Sequence, residues 1–191
     1  MVTSPIQAKW DTIYSQRDNT PEAALILQQN CHLLPQQGTA LDLACGQGGN
    51  ALLLAESGLE VQAWDVSPIA IEQLQHTVDL KGLNVEAMAR DVIKRPPPAN
   101  SVDVLVVSFF LERELCPALF AAIKPGGLLF YQTYCQQKVT QQGPSCADYL
   151  LSDNELLQLF SQMKVRVYRE EARLGEHDKG FRNQALLVAE K

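Results

Sequence analysis

The sequence predicts an α/β fold, a doubly wound and mostly parallel seven-stranded sheet that ends in a C-terminal antiparallel hairpin. Short apolar runs of strand length recur along the chain, and helical patterns separate most of the first five. A glycine-rich turn joins the first of these runs to a helix, as in the βα turns of parallel sheets. The last two strand-like stretches are joined by a charged link, which indicates an antiparallel pair.

Two helical patterns precede the first strand. Residues 6–17 place apolar side chains at helical spacing, with Trp10 and Tyr14 one turn apart. Thr20-Pro21-Glu22 has the features of a helix start, namely an N-cap residue, a proline in the first turn and an early acid. We expect residues 1–35 to form an N-terminal helical cap.

The first strand and its turn, residues 41–51, organise the rest of the chain. Gly46 and Gly48 permit backbone angles and close approaches that a Cβ would forbid, so a ligand can touch the main chain there. The helix that follows from Asn50 points its free N–H groups back at such a ligand.

Two carboxylates accompany this turn. The glycine pattern satisfies the loose dinucleotide fingerprint, and Asp65 closes the next strand about twenty residues on, as that fingerprint requires. Asp42, inside an otherwise apolar strand, has to meet backbone N–H groups or a cationic ligand group. It would repel a pyrophosphate and attract an ammonium or a sulfonium, and S-adenosyl-L-methionine carries both cations and no phosphate.

The run Asp42-x-Ala44-x-Gly46-x-Gly48 resembles motif I of the class I S-adenosylmethionine-dependent methyltransferases, with Ala44 in place of the first glycine. The resemblance implies S-adenosyl-L-methionine as cofactor, S-adenosyl-L-homocysteine as product and a Rossmann-like methyltransferase domain. The cofactor-binding residues that it implies are Tyr14, Asp42, Ala44, Cys45, Gly46, Gly48, Asn50, Asp65, Val66, Asp91, Val92 and Ser108. The alternative is that the glycines only make a tight turn and Asp42 is a structural carboxylate.

The other implied contacts also have structural alternatives. Asp65 would accept both ribose hydroxyls, or it could be a turn residue before the helix that opens at Ser67. Asp91 matches the acidic position of motif II, next to adenine, or it is a surface turn aspartate. Tyr14 and Arg17 would cover the cofactor, or their helix only packs on the domain edge.

The fourth strand, residues 102–108, is a nearly continuous apolar run, which is typical of a central parallel strand. Its end faces the transferable methyl group, yet it lacks the Asn-Pro-Pro-Tyr of amide or adenine methylation and the Pro-Cys of cytosine methylation. Phe109 and Phe110 could shape an apolar pocket, or they belong to the core. The candidate catalytic residues, none with an assigned role, are Glu112, Arg113 and Tyr134.

The remaining elements complete the domain. A helix from Cys116 is expected to stop at Lys124-Pro125-Gly126-Gly127, before a fifth strand up to Tyr134. Ser152-x-x-Glu155 predicts a capping box. We therefore divide a single domain, residues 1–191, into the helical cap, a cofactor-binding core at 39–134 and a substrate-side loop, helix and hairpin at 135–191.

Composition limits the function. A net charge of −6 provides no overall basic surface, so nucleic acid is not the expected partner. Five widely spaced cysteines without a Cys-x-x-Cys argue against disulfides and a metal site. No apolar run has the length of a membrane span and no signal peptide is evident, so we expect a cytoplasmic protein, a monomer or a homodimer, with no membrane contact.

Within the superfamily, the sequence of residues 41–50 is most similar to that of the tellurite-resistance (TehB-like) small-molecule methyltransferases. The resemblance implies methyl transfer to a small-molecule acceptor, such as a thiol or a chalcogen oxyanion like tellurite. Two other functions stay open: an NAD-dependent oxidoreductase, and a non-catalytic protein that binds an S-adenosyl ligand.

Overall fold

The computed structural model describes residues 4–17 and 21–191, and its framework is one seven-stranded sheet with helices on both faces. The strands are β1 (Thr39–Leu43), β2 (Glu60–Asp65), β3 (Val85–Ala89), β4 (Val102–Ser108), β5 (Ile123–Tyr134), β6 (Lys164–Glu170) and β7 (Gln184–Glu190). The α-helices are α1 (Pro5–Ser15), α2 (Leu25–Asn30), α3 (Gly49–Glu56), α4 (Pro68–Lys81), α5 (Cys116–Ala122) and α6 (Glu155–Leu159).

The strands follow the order β3-β2-β1-β4-β5-β7-β6. The first five are parallel, and β7 lies antiparallel between β5 and β6. This confirms the predicted doubly wound sheet and its terminal hairpin. Because the strand order reverses between β1 and β4, their carboxyl ends form the switch point where ligands bind in open α/β sheets.

Two cores sandwich the sheet. Helices α2, α3 and α4 cover one face, and α5 and α6 cover the other. Strand β4 contributes to both, since Leu105 and Val107 point into one core while Val104 and Val106 point into the other. Burial on both faces explains why this strand is apolar throughout instead of alternating.

The start of α2 differs from the prediction. Thr20 lies outside the described residues, and the helix begins only at Leu25. Ala24 is extended, and its N–H donates to the side-chain oxygen of Asn50 at 2.8 Å. A contact with α3 therefore determines where this helix begins, because the first N–H groups of a helix have no intrahelical acceptor.

The glycines at 126 and 127 also act differently from the prediction. Helix α5 ends at Ala122, and Lys124-Pro125-Gly126-Gly127 lies inside β5, where the pairing with β4 shifts register. Gly127 is pressed against β4, since a Cβ there would stand 2.7 Å from the carbonyl oxygen of Asp103. The segment thus forms a bulge that leads into the strand.

The predicted capping box forms only in part. Helix α6 begins at Glu155 itself, and its N-cap is Asn154, which has a left-handed backbone (φ 61°). The Glu155 carboxylate accepts from both the N–H and the hydroxyl of Ser152, so the hydroxyl donates where a capping box would have it accept. The same carboxylate forms an ion pair with Arg113, so it links the start of α6 to the turn after β4.

Gly49, the first residue of α3, allows the segment before α2 to lie against the turn. A Cβ on Gly49 would stand 2.2 Å from the backbone oxygen of Glu22. We expect Gly49→Ala to lower the free energy of unfolding by about 2–3 kcal/mol through overpacking. Urea unfolding measures this, with Gly82→Ala as control, where a Cβ meets open space and only left-handed strain of about 1 kcal/mol is expected. Equal effects of the two substitutions would contradict the close approach.

Candidate functional site

A buried carboxylate joins four segments at the switch point. Asp42 on β1 is fully buried and accepts from the Ala51 N–H at 3.0 Å and from the Asn50 side-chain amide at 3.2 Å. The Asn50 amide also donates to the Ser108 hydroxyl at 2.9 Å, and its oxygen accepts from Ala24. The sequence left a backbone or a ligand partner open for Asp42, and the structure supplies the backbone partner.

The environment of Asp42 favours its neutral form. Burial raises the pKa of its carboxyl to about 7, although the hydrogen bonds from Asn50 and Ala51 act in the opposite direction. The nearby charge of Asp65 raises this pKa further. A cationic ligand group placed beside Asp42 would favour the carboxylate.

The turn after β1 contains the predicted cofactor-facing residues. Ala44 has φ 56°, so it adopts the left-handed conformation that glycine adopts more readily at such a position. The buried Cys45 and Gly48 continue the turn, with the Gly48 N–H donating to the Cys45 carbonyl at 2.9 Å. Burial raises the pKa of the Cys45 thiol well above its usual value, so this cysteine is not a nucleophile.

Asp65 lies at the carboxyl end of β2 and is also buried. Its two oxygens accept from the N–H groups of Gly46 and Ser67, each at 2.9 Å. Burial raises the pKa of this carboxyl, while hydrogen bonds from the backbone of Ser67, Gly46 and Val66 oppose the shift. These bonds orient the carboxylate at the carboxyl end of β2, the edge of the sheet where a ligand hydroxyl would bind.

Helix α1 packs across this turn. The Ser67 hydroxyl donates to the Asp11 carboxylate, and the side chain of Gln73 donates to the Tyr14 carbonyl at 3.2 Å. Tyr14 is buried, and a Cβ on Gly46 would stand 2.7 Å from its hydroxyl. Of the two predicted placements of α1, the structure therefore favours a cover over the glycine turn.

Two predicted cofactor-binding residues, Asp91 and Val92, follow the carboxyl end of β3. Asp91 accepts from the N–H groups of Ile93 and Lys94 and pairs with the Lys94 ammonium at 3.0 Å, which holds the pKa of its carboxyl below the usual value. These are the contacts of a turn aspartate. Val92 is buried in the same hydrophobic core as Trp64. The cofactor roles of Asp91 and Val92 stay predictions.

The candidate catalytic residues have different surroundings. Arg113 binds the Glu155 carboxylate and the carbonyl oxygens of Asp148 and Leu150, so its guanidinium fastens the turn after β4 to a later loop. Tyr134 lies at the end of β5, where its ring packs on Phe109 with centroids 5.4 Å apart. Glu112 is half-buried in the turn beside Arg113. Their roles in catalysis stay predictions.

Sequence reasoning missed two polar contacts that support the site. Gln132, buried in β5, accepts from the Ile26 N–H at 2.7 Å and so fixes α2 to the sheet. Asn183 accepts from the N–H groups of Val139 and Thr140, which joins the loop after β5 to the start of β7. An amide inside an apolar strand is a signal that could have identified Gln132.

Among the described residues, no three His, Cys, Asp or Glu side chains form a group that could hold a metal ion. Within the same part of the chain, no helix has the length and apolarity to cross a membrane.

The comparisons with known proteins agree with this geometry. Residues 40–127 match a family model described as "Methyltransferase domain". The probable S-adenosyl-L-methionine-dependent methyltransferase TehB of Haemophilus influenzae is 28% identical over 138 residues, which cover 68% of this chain and 47% of that protein. Residues 40–127 thus resemble a methyltransferase domain, and the sequence of the chain is similar to that of TehB.

Two further comparisons define the extent of the likeness. The crystal structure of TehB from Haemophilus influenzae superposes with a TM-score of 0.74 at 21% sequence identity. The superposition covers 95% of this chain and 67% of that one, and it shows that the two share a fold. The ribosomal RNA small subunit methyltransferase C of Idiomarina loihiensis is 37% identical over 90 residues, 47% of this chain and 26% of that protein. The chain thus spans about half the length, or less, of these curated relatives.

The residues at the switch point fit the family's cofactor, S-adenosyl-L-methionine. Asp11, Asp42 and Asp65 converge there, and in the described part of the chain none of them forms an ion pair. Such a group of carboxylates favours a ligand that carries a sulfonium and an ammonium. Asp42, next to the glycine turn, would repel a pyrophosphate there, which argues against the NAD-dependent alternative.

The shifted pKa of Asp42 predicts a pH dependence of stability. Between its ordinary value near 3.8 and about 7, the folded chain holds a proton that the unfolded chain has lost. Stability should therefore fall as pH rises through this window, by up to about 4 kcal/mol in the ligand-free protein.

Asp42→Asn removes this contribution, so the difference in unfolding free energy between wild type and variant should change with pH between 4 and 7. Urea unfolding at several pH values measures that difference. A constant difference would mean that Asp42 is ionised in the folded protein.

Proposed function

We propose that this chain transfers a methyl group from S-adenosyl-L-methionine to a small-molecule acceptor, such as a thiol or a chalcogen oxyanion like tellurite. One observation carries the proposal: Asp11, Asp42 and Asp65 converge at one sheet edge beneath α1, next to an aromatic wall that consists of Phe109 and Tyr134 at the ends of β4 and β5. The carboxylates suit the cofactor, and the wall offers a place for the acceptor.

When bound, the cofactor supplies an activated methyl group together with its leaving group. The residues of the chain then bind and orient the two reactants and exclude water. Asp65, fixed by two backbone N–H groups, would accept the ribose hydroxyls, and Asp42 would stabilise the ammonium side. Tyr14 and α1 would cover the cofactor from solvent.

At the carboxyl ends of β4 and β5, where we place the acceptor, no oriented side chain of the described residues is a strong base. Burial raises the pKa of the Tyr134 hydroxyl, so it stays protonated and acts as a donor. Arg113 is occupied by Glu155, which leaves Glu112 as the candidate base. A thiolate or a chalcogen oxyanion is already nucleophilic and needs no base, so this class of acceptor suits the site best.

We propose for the remaining features what the sequence suggests. Five free cysteine thiols support a cytoplasmic location. The net charge of −6 disfavours RNA as acceptor, although one relative is named as a ribosomal RNA methyltransferase. We retain the division into a helical cap at 1–35, a cofactor core at 39–134 and a substrate side at 135–191, in a monomer or a homodimer.

Calorimetric titration with S-adenosylhomocysteine, run beside NADH, tests the cofactor. We expect binding of the former alone, and Asp65→Ala should weaken it about 100-fold because two hydrogen bonds to a charged group are lost. Asp65→Asn keeps the shape and serves as a second variant, and Asp79→Asn, on the exposed side of α4, is the control. Binding of NADH alone would refute the proposal.

A screen of thiols, selenite and tellurite then tests the activity, with formation of S-adenosylhomocysteine as the readout. Turnover with a small acceptor and none with ribosomal RNA supports the proposed class. Cofactor binding without turnover on any acceptor would instead support a non-catalytic binding protein.

A further inference from the structure

The loop after β5, residues 136–150, is closed at its base. The Leu151 N–H donates to the Tyr134 carbonyl at 2.9 Å, and the Gln136 N–H donates to the Leu151 carbonyl at 2.8 Å. The regular structure within the loop is a 3₁₀ turn at Ala147–Tyr149. Because its ends meet and it lacks a sheet or helix ladder of its own, side-chain contacts have to fix its position.

Arg113 fastens the second half of this loop. Its guanidinium donates to the carbonyl oxygens of Asp148 at 2.6 Å and of Leu150 at 2.9 Å. It also donates to both carboxylate oxygens of Glu155, at 2.5 and 3.0 Å. Arg113 lies four residues after Phe109, in the turn that follows β4. A side chain from the end of the central strand therefore determines where this part of the loop lies.

The ion pair of Arg113 and Glu155 gives the guanidinium a fixed direction. Glu155 is largely buried, and its carboxylate also accepts from the N–H and the hydroxyl of Ser152. The hydrogen bonds from Arg113 hold the pKa of the Glu155 carboxyl below its usual value, so the carboxylate stays charged at neutral pH. A carboxylate held in this way binds the guanidinium through two N–H groups and leaves the others for the loop.

The first half of the loop has a different attachment. The side-chain oxygen of Asn183 accepts from the N–H groups of Val139 at 2.7 Å and of Thr140 at 3.2 Å. Asn183 precedes β7, on the other side of β5 from β4. The two halves are therefore held separately, and loss of the Arg113 contacts should release only the second half.

The loop also contacts the aromatic wall. A Cβ on Gly143 would stand 2.5 Å from the Tyr134 ring, so the loop backbone lies directly on that ring. The Tyr134 ring packs on Phe109, and Phe109 follows Ser108, whose hydroxyl accepts from Asn50 beside the glycine turn. Loop, wall and glycine turn are thus connected by consecutive contacts along one edge of the sheet.

We propose that Arg113 is a positioning residue that fixes the loop after β5 against the carboxyl ends of β4 and β5, so that the loop limits the size of the methyl acceptor. This rests on the proposed function, because it takes the acceptor to bind at this edge. A larger acceptor has to displace the loop and break the hydrogen bonds of the guanidinium, whereas a small one fits without that loss. Arg113 acts through the loop, since four of its five N–H donors are already engaged.

Hydrogen–deuterium exchange tests the attachment without a substrate. In Arg113→Gln, we expect peptides that cover residues 145–151 to exchange about tenfold faster, because local opening then breaks fewer contacts. Peptides that cover residues 137–142, held by Asn183, should keep the wild-type rate. Glu155→Gln weakens the pair from the other side and should act in the same direction. Arg166→Gln, which removes an exposed ion pair with Glu190, is the control and should change neither rate.

Turnover of two thiols tests the limit on size. The probes are 2-mercaptoethanol and a longer thiol that ends in tri(ethylene glycol), both uncharged, with formation of S-adenosylhomocysteine as the readout. Wild type should prefer the shorter thiol about tenfold in kcat/KM. Arg113→Gln should reduce this preference severalfold by lowering KM for the longer thiol, with KM for S-adenosyl-L-methionine unchanged. Arg113→Lys, which keeps the charge without the planar fork, should restore part of the preference.

An unchanged exchange rate at residues 145–151 in both Arg113→Gln and Glu155→Gln would overturn the proposal. Turnover with the same preference in wild type and Arg113→Gln would also overturn it, and would leave the proposed function intact. Turnover of neither thiol by wild type would refute the proposed thiol acceptor and, with it, the limit on size. The two failures are therefore distinguishable by whether wild type methylates the shorter thiol.

Discussion

The buried carboxylate of Asp42 is the constraint on which the site depends. A fully buried carboxyl group is costly unless it is hydrogen-bonded or neutral, and this one is bonded to the start of α3 and to Asn50. Asn50 uses the rest of its amide to hold β4 and the entry to α2. One polar network therefore sets the relative positions of the first strand, the glycine turn, the central strand and the start of α2.

The network also explains why negatively charged side chains lie together at the switch point of the sheet. Asp42 is needed inside the sheet, Asp65 orients the turn through Gly46, and Asp11 docks α1 onto Ser67. Each carboxylate has a structural partner, so the fold forms without a ligand. Together the three carboxyl groups form an edge of the sheet that favours cations. Burial raises the pKa of two of them, Asp42 and Asp65. Structure and cofactor preference thus come from the same residues.

Local patterns predicted the sheet, the glycine turn, α4 with its Ser67 cap and the position of Asp65, because strand and helix periodicity and turn chemistry are short-range properties. The start of α2 and the role of Glu155 were not predictable, since they depend on Asn50 and Arg113, which are distant in sequence. The left-handed backbone of Phe109 has no signature in the residue type. Such features arise from tertiary contacts that override local preference.

The two halves of the site are built in different ways, which bears on how acceptor choice can vary within one fold. The cofactor side uses backbone N–H groups and buried side chains of β1, β2 and α3, so most substitutions there would disturb the core. The proposed acceptor side consists of the strained Phe109, Tyr134 and a loop that is fastened through Asn183. Side chains on this edge can change without displacing Asp42, since a rigid scaffold tolerates variation in its loops. In the proposed enzyme, the residues that bind the methyl donor are therefore separate from those that would select the acceptor.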